Sequence, residues 1–303
     1  MRMANLQVNL CGLKLKNPTV LASGILDNTG EILKRVGKYA GAVTAKSISP
    51  EPRAGHETPN IVELEDRSLL NAMGLPNPGM ENFAQEIKIA KTGNAPVIVN
   101  VVGKTVEDFV KAAEKLGNLG DAIEINLSCP NVKGGLEFSQ NPDVAADVVK
   151  RVKKVVKVPV FAKLGPNVKD IVEIAKAVEK AGADGITAIN TMPAMAIDVE
   201  TGKVVLTNLS GGLSGTALHP IAVKCVYKIY ENVKIPIIGT GGAMKGEDVV
   251  ELMMAGATAV GIGTAVWNEG PEAFKRITDE LEKFLHRKGY ESAAELTGLA
   301  HKK

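Results

Sequence analysis

Eight short apolar runs, each closing on small or polar residues, constrain this chain more than any other feature. They are PTVLASG from Pro18, GAVTAKS from Gly41, PVIVNVVG from Pro96, AIEINLS from Ala122, PVFAKLG from Pro159, GITAINT from Gly185, PIIGTGG from Pro236 and AVGIGTA from Ala259. Runs of this length with no polar alternation read as parallel strands buried on both faces. Helical patterns lie between them, with starts at Thr105-Val-Glu-Asp, Asn167-Val-Lys-Asp and Lys245-Gly-Glu-Asp; a capping residue followed three positions later by an acid satisfies the first free amides of a helix. Strict alternation of strand and helix, eight times over, predicts an α/β fold closed as a (β/α)8 TIM barrel rather than an open doubly wound sheet.

The spacing of the runs locates the insertions. A minimal strand–helix unit takes about 25 residues, and the intervals that exceed it follow strand 2 (Gly41 to Pro96), strand 4 (Ala122 to Pro159) and strand 6 (Gly185 to Pro236). These inserted loops after strands 2, 4 and 6 should crowd one mouth of the barrel. Ahead of strand 1, LQVNLCGLKLKNP alternates and turns at Cys11-Gly12, which predicts an N-terminal β-hairpin plugging the opposite end. The tail ESAAELTGLA reads as a short closing helix. No linker or low-complexity tract divides residues 1–303, so a single domain is expected.

Composition narrows the class. With 36 basic and 34 acidic side chains, net +2, the balance argues against a nucleic-acid groove. No run approaches the roughly 18 apolar residues of a membrane span, and MRMANLQVNL lacks the layout of a signal peptide; a cytoplasmic protein is the expectation. The three cysteines, Cys11, Cys129 and Cys225, are far apart and never in a C-x-x-C pair, which fits a reducing compartment and supplies no iron–sulfur ligand set.

Candidate chemistry gathers at the strand ends. GTGG (Gly239 to Gly242) and GIGT (Gly261 to Thr264) precede helices, and backbone without side chains lets amides approach an anion, so this corner is a candidate phosphate site. Neither segment fits G-x-G-x-x-G, because Met244 and Val266 hold the last position, so a Rossmann dinucleotide site is not expected. Lys46 and Lys163 end strands 2 and 5, where an inward charge is costly without an anionic partner. Asn100, Asn126, Asn190 and Thr191 hold the matching places on strands 3, 4 and 6; amide side chains donate and accept, as a ring edged by C=O and N–H requires. Cys129, after strand 4 in N-L-S-C-P-N, is a candidate nucleophile or base, while Cys11 and Cys225 read as buried small hydrophobes. The histidines His56, His219, His286 and His301 are scattered, and no spacing reads as a metal site. Lys150 to Lys157 reads as a solvated basic face.

With ASG at Ala22, AKS at Ala45, NAMGLPNPG at Asn71, INLSCPNVKGG at Ile125, AKLGPN at Ala162, AINT at Ala188, GGLSG at Gly211, and GTGG and GIGT at the end, the chain resembles the dihydroorotate dehydrogenases. The likeness runs in one order from about Leu6 past Trp267, and within the family it is similar to the soluble class 1 catalytic subunits of B-type. The membrane-bound class has a helical extension before the barrel and a Ser as base, whereas here the barrel begins near Pro18 and the loop offers Cys129.

The resemblance implies an FMN-binding barrel that oxidises (S)-dihydroorotate to orotate in pyrimidine biosynthesis. It assigns Ser23, Lys46, Ser47, Asn100, Asn126, Lys163, Ile189 and Gly215 to the flavin, and Gly241, Gly242, Gly263 and Thr264 to its phosphate end. It assigns Lys46, Asn71, Ala72, Met73, Gly74, Leu75, Asn126, Asn190 and Thr191 to the substrate, with Asn131 a weaker candidate. Cys129 would take the proton from substrate C5 as hydride leaves C6. B-type relatives pass electrons to NAD⁺ through a subunit carrying FAD and [2Fe–2S], in a heterotetramer of two catalytic and two electron-transfer subunits. A-type relatives, which reduce fumarate, and dihydropyrimidine dehydrogenase-like reductases are the nearest alternatives. A non-redox phosphate-binding barrel and a catalytically inactive partner-binding barrel are the alternatives from other classes.

Overall fold

In a computed structural model, which describes residues 4–128 and 138–302, the eight runs form a closed parallel barrel. Its strands are β1 (Thr19–Leu21), β2 (Ala42–Thr44), β3 (Val97–Val101), β4 (Ala122–Asn126), β5 (Val160–Leu164), β6 (Gly185–Ala188), β7 (Ile237–Thr240) and β8 (Ala259–Ile262), and β8 closes on β1. Nearly every residue in them is buried, because helices cover the outside and side chains fill the inside. One close approach explains a glycine: a Cβ at Gly185 would stand 2.6 Å from Cδ1 of Phe161, whose ring is fully buried on the neighbouring strand.

The surrounding helices are α1 (Gly30–Val36), α2 (Gly79–Ala90), α3 (Val106–Leu116), α4 (Pro142–Val152), α5 (Ile171–Lys180), α6 (His219–Tyr230), α7 (Gly246–Met254), α8 (Thr264–Glu269) and α9 (Ala273–Lys288). Thr105 and Asp108 close the expected capping box on α3. At α7, the Asp248 carboxylate accepts from the amides of Met244 and Lys245. The start of α5 differs from the sequence expectation: Asp170, not Asn167, is its cap, and its carboxylate accepts from the Val172 amide at 2.8 Å.

The N-terminal hairpin pairs Val8–Leu10 with Leu13–Leu15 and turns through left-handed Cys11 and Gly12. Leu10 and Leu15 are buried, and Cys11 Sγ donates to the Asp184 carbonyl, just ahead of β6, at 3.1 Å. The hairpin therefore plugs the mouth at which the strands begin. Both Cys11 and Cys225 are only half-buried, which corrects their reading as core residues. Burial, then the neighbouring Asp184 charge, pushes the Cys11 thiol up to about 12.

The insertions after β2 and β6 are not loops alone. Met192–Ala194, Gly211–Ser214, Leu69–Asn71 and Ile61–Glu63 join, in that order, into one antiparallel sheet. Leu70, Ala72 and Leu206 form a small apolar core of their own within these insertions. The loop after β4 runs into 129–137, outside the described residues. The tail forms two short 3₁₀ turns, Ala293–Leu296 and Leu299–His301, rather than one helix, and Asn5 pairs with Ser292. Among the described residues no helix is long and apolar enough to cross a membrane.

Candidate active site

The polar residues read from the strand ends converge inside the barrel, at the mouth where the strands finish. Lys46, Ser47, Asn100, Asn126 and Lys163 are all buried there. Parallel register places Asn100 beside Glu124 and Asn126 beside Lys163, and registered residues of parallel neighbours face the same side. Glu124, absent from the sequence-derived candidates, sits at the centre of this cluster. It accepts from Asn100 Nδ2 at 2.5 Å and from Thr187 Oγ1 at 2.6 Å, and Lys163 Nζ lies 3.9 Å away.

A second seam crosses the mouth from β6 to β1. Asn190 Nδ2 donates to Ser128 Oγ, which donates to Asn126 Oδ1 at 2.7 Å. Asn126 Nδ2 reaches Ser47 Oγ at 3.4 Å, and Ser47 Oγ lies 3.4 Å from Ser23 Oγ. Beyond Ser23 stands Asp27, a second buried carboxylate that the sequence reading missed; it accepts from the Gly24 amide at 2.5 Å. Burial raises the Asp27 carboxyl above its ordinary range, against the opposing pull of Lys46 and of the Gly24 and Ser23 donors. Each buried lysine of the mouth thus has a buried carboxylate near it, as the cost of burying charge demands.

The glycine corner is assembled as well. Gly215, Gly241 and Gly242 all have left-handed φ, and a Cβ at Gly242 would lie 2.5 Å from the Gly215 carbonyl oxygen and 2.8 Å from the His219 amide. His219 Nδ1 lies 3.1 Å from the Gly241 carbonyl and Nε2 lies 3.0 Å from Glu251, so this histidine braces the turn. Thr264 Oγ1 meets Ser214 Oγ at 3.3 Å, tying the end of β8 to the insertion after β6. Ile189 is buried, and its amide donates to the Thr240 carbonyl at 2.7 Å.

The substrate candidates divide. Asn71 Nδ2 donates to the Gly212 carbonyl at 3.3 Å, and Gly212 lies directly against the Thr191 side chain, so Asn71 and Thr191 share one neighbourhood. Ala72 is buried in the small core of the insertions. Met73, Gly74 and Leu75 form the following turn, where the Met73 carbonyl accepts from His56 and the Leu75 carbonyl from Asn77. Among the described residues no hydrogen bond ties these three to the barrel cluster. Cys129 and Asn131 lie outside the described residues.

One acceptor of this polar mouth is left over. Asn100 Oδ1 is a fully buried acceptor with no partner among the described residues, a state that proteins rarely leave uncompensated. A side chain at Gly263 would meet only Ala22, at 3.8 Å, so the backbone there borders open space. Among the described residues no cluster of His, Cys, Asp and Glu could hold a metal ion.

The family model for dihydroorotate dehydrogenase matches residues 5–285. The chain belongs to the dihydroorotate dehydrogenase family. It is 49% identical over 302 residues to the protein from Methanocaldococcus jannaschii named dihydroorotate dehydrogenase B (NAD⁺), catalytic subunit, covering 98% of each chain. The Pyrococcus abyssi protein of the same name is 50% identical over 299 residues, covering 98% of this chain and 99% of its own. Among solved structures, the Eimeria tenella dihydroorotate dehydrogenase in complex with ferulenol superposes with a TM-score of 0.85 at 25% identity, covering 99% of this chain and 89% of that one. Together with the closed barrel, that likeness makes this a TIM-barrel member of the family.

Proposed function

We propose that this chain is the catalytic subunit of an NAD-linked, B-type dihydroorotate dehydrogenase, oxidising (S)-dihydroorotate to orotate in pyrimidine biosynthesis. The observation that carries the reading is the buried cluster of Lys46, Asn100, Asn126 and Lys163 at one mouth, in a chain about half identical, end to end, to B-type catalytic subunits. The unpartnered Asn100 acceptor and the open space beside Gly263 fit a flavin mononucleotide, one per chain. FMN, when bound, supplies the acceptor for the hydride from substrate C6.

Ser23, Lys46, Ser47, Asn100, Asn126, Lys163, Ile189 and Gly215 hold the flavin, and Gly241, Gly242, Gly263 and Thr264 its phosphate. Positive φ at Gly241 and Gly242 supports that last assignment, since it turns backbone toward an anion where a side chain would obstruct it. Lys163, a buried positive charge, would stabilise the negative charge that a reduced ring gains. Lys46, Asn126, Asn190, Thr191 and the stretch Asn71, Ala72, Met73, Gly74 and Leu75 orient the substrate ring and carboxylate. Cys129 removes the proton from C5, a carbon acid that needs an oriented base away from water; the NLSCPN motif supports this role. The sheet formed by the insertions after β2 and β6 supports the exclusion of water from this mouth.

A partner subunit bearing FAD and [2Fe–2S], in a cytoplasmic heterotetramer, would carry the electrons on to NAD⁺. The relatives' designation as catalytic subunits supports a separate partner. Assay of the purified chain with an artificial dye acceptor tests the substrate: turnover of dihydroorotate with none of dihydrouracil is expected, and the reverse preference would transfer the reading to a pyrimidine reductase.

A further inference from the structure

Glu124 lies in the middle of β4, 2% exposed, flanked by Ile123 and Ile125. A carboxylate at such a depth is costly, and an apolar residue of similar volume would serve packing better. Its neighbours give it a different purpose. Asn100 Nδ2 and Thr187 Oγ1 donate to separate oxygens, at 2.5 and 2.6 Å. A carboxylate acts only as an acceptor, so it obliges the Asn100 amide to turn its NH₂ inward. What Asn100 then presents elsewhere is Oδ1, the fully buried acceptor without a partner among the described residues. The carboxylate also stands 3.9 Å from Lys163 Nζ, beyond hydrogen-bond distance. It balances the lysine's charge while leaving its N–H donors for another group.

We infer that Glu124 is a positioning residue for the flavin: it fixes Asn100 as an acceptor toward the ring and tempers the Lys163 charge, and so sets how readily the flavin is reduced. This rests on the FMN reading above. Removing the negative charge leaves Lys163 uncompensated and favours a reduced ring that carries negative charge. Removing a donor from the carboxylate does the opposite, because its negative field is then less neutralised.

Redox titration of the FMN-loaded protein, wild type against Glu124→Gln and Thr187→Val, tests this. Both substitutions nearly conserve volume. For Glu124→Gln the equilibrium constant of two-electron reduction should rise at least tenfold, about 30 mV, while for Thr187→Val it should fall. No shift or a fall in Glu124→Gln, or a shift of both variants in one direction as from simple loosening, overturns the inference. Should Glu124→Gln fail to fold, Thr187→Val decides: a fall supports the inference and any other result overturns it. A wild-type protein that binds no FMN rejects the functional reading and this inference together. A wild type that titrates normally beside an unmoved Glu124→Gln rejects the inference alone.

Discussion

Replacing Lys163 by methionine removes the ammonium while keeping most of the side-chain volume, and the structure sets what that should cost. Lys163 and Glu124 are 6% and 3% exposed at their side chains and 3.9 Å apart. At an effective dielectric constant of about 20, that separation corresponds to about 4 kcal/mol of attraction. Glu124 retains its Asn100 and Thr187 donors, and burying methionine is cheaper than burying an ammonium. The net loss should therefore fall near the low end for breaking a buried pair, about 3 kcal/mol. Glu124→Gln leaves the opposite charge stranded and should cost a similar amount. The double variant strands neither, so its cost should undercut the sum of the singles by at least about 2 kcal/mol. Urea unfolding of the flavin-stripped proteins measures this without the added stability that bound FMN confers. Costs that add to within about 0.5 kcal/mol would refute the coupling and the electrostatic picture built on it.

Cys129→Ala should leave FMN bound but slow its reduction by dihydroorotate at least about 10²-fold, and near-normal reduction in stopped flow would exclude Cys129 as the base. Gly185→Ala forces a methyl to within 2.6 Å of the buried Phe161 ring and should lower stability by about 1–3 kcal/mol; an unchanged urea midpoint would show that the ring can retreat. The raised Asp27 carboxyl binds its proton more tightly folded than unfolded, so its contribution to stability falls as pH rises from its ordinary 3.8 through the folded value. Asp27→Asn, which can still accept from Gly24, should remove that fall, so the variant gains on wild type in melting temperature as pH rises above about 4; parallel curves would contradict it.

The barrel was legible because each buried strand writes a continuous apolar run and each strand-to-helix turn needs small or polar residues. The same logic exposed the lysines and asparagines at the strand ends, since a polar side chain closing an apolar run faces the mouth. Glu124 carried a signal that could have been used: it is a charge inside AIEIN, two residues before Asn126 and hence on the same face. Asp27 carried less, because it stands in LDNTG, where an acid reads as an ordinary turn or cap residue. The strands of the insertions, such as Leu69–Asn71 and Gly211–Ser214, were hidden for another reason. They are three or four residues long with mixed polarity, and their pairing joins segments about 140 residues apart, as Asn71 and Gly212 show. The tail failed as a helix because GLA follows ELT too soon: Gly298, left-handed with φ of 70°, splits it into two turns.

The central claim is that this mouth brings dihydroorotate and FMN together. Anaerobic mixing of the purified yellow protein with dihydroorotate, followed at the flavin absorbance band, tests it most directly. Bleaching with stoichiometric appearance of orotate is the predicted result. A flavin that stays oxidised with dihydroorotate, or a purified protein without flavin, would contradict it.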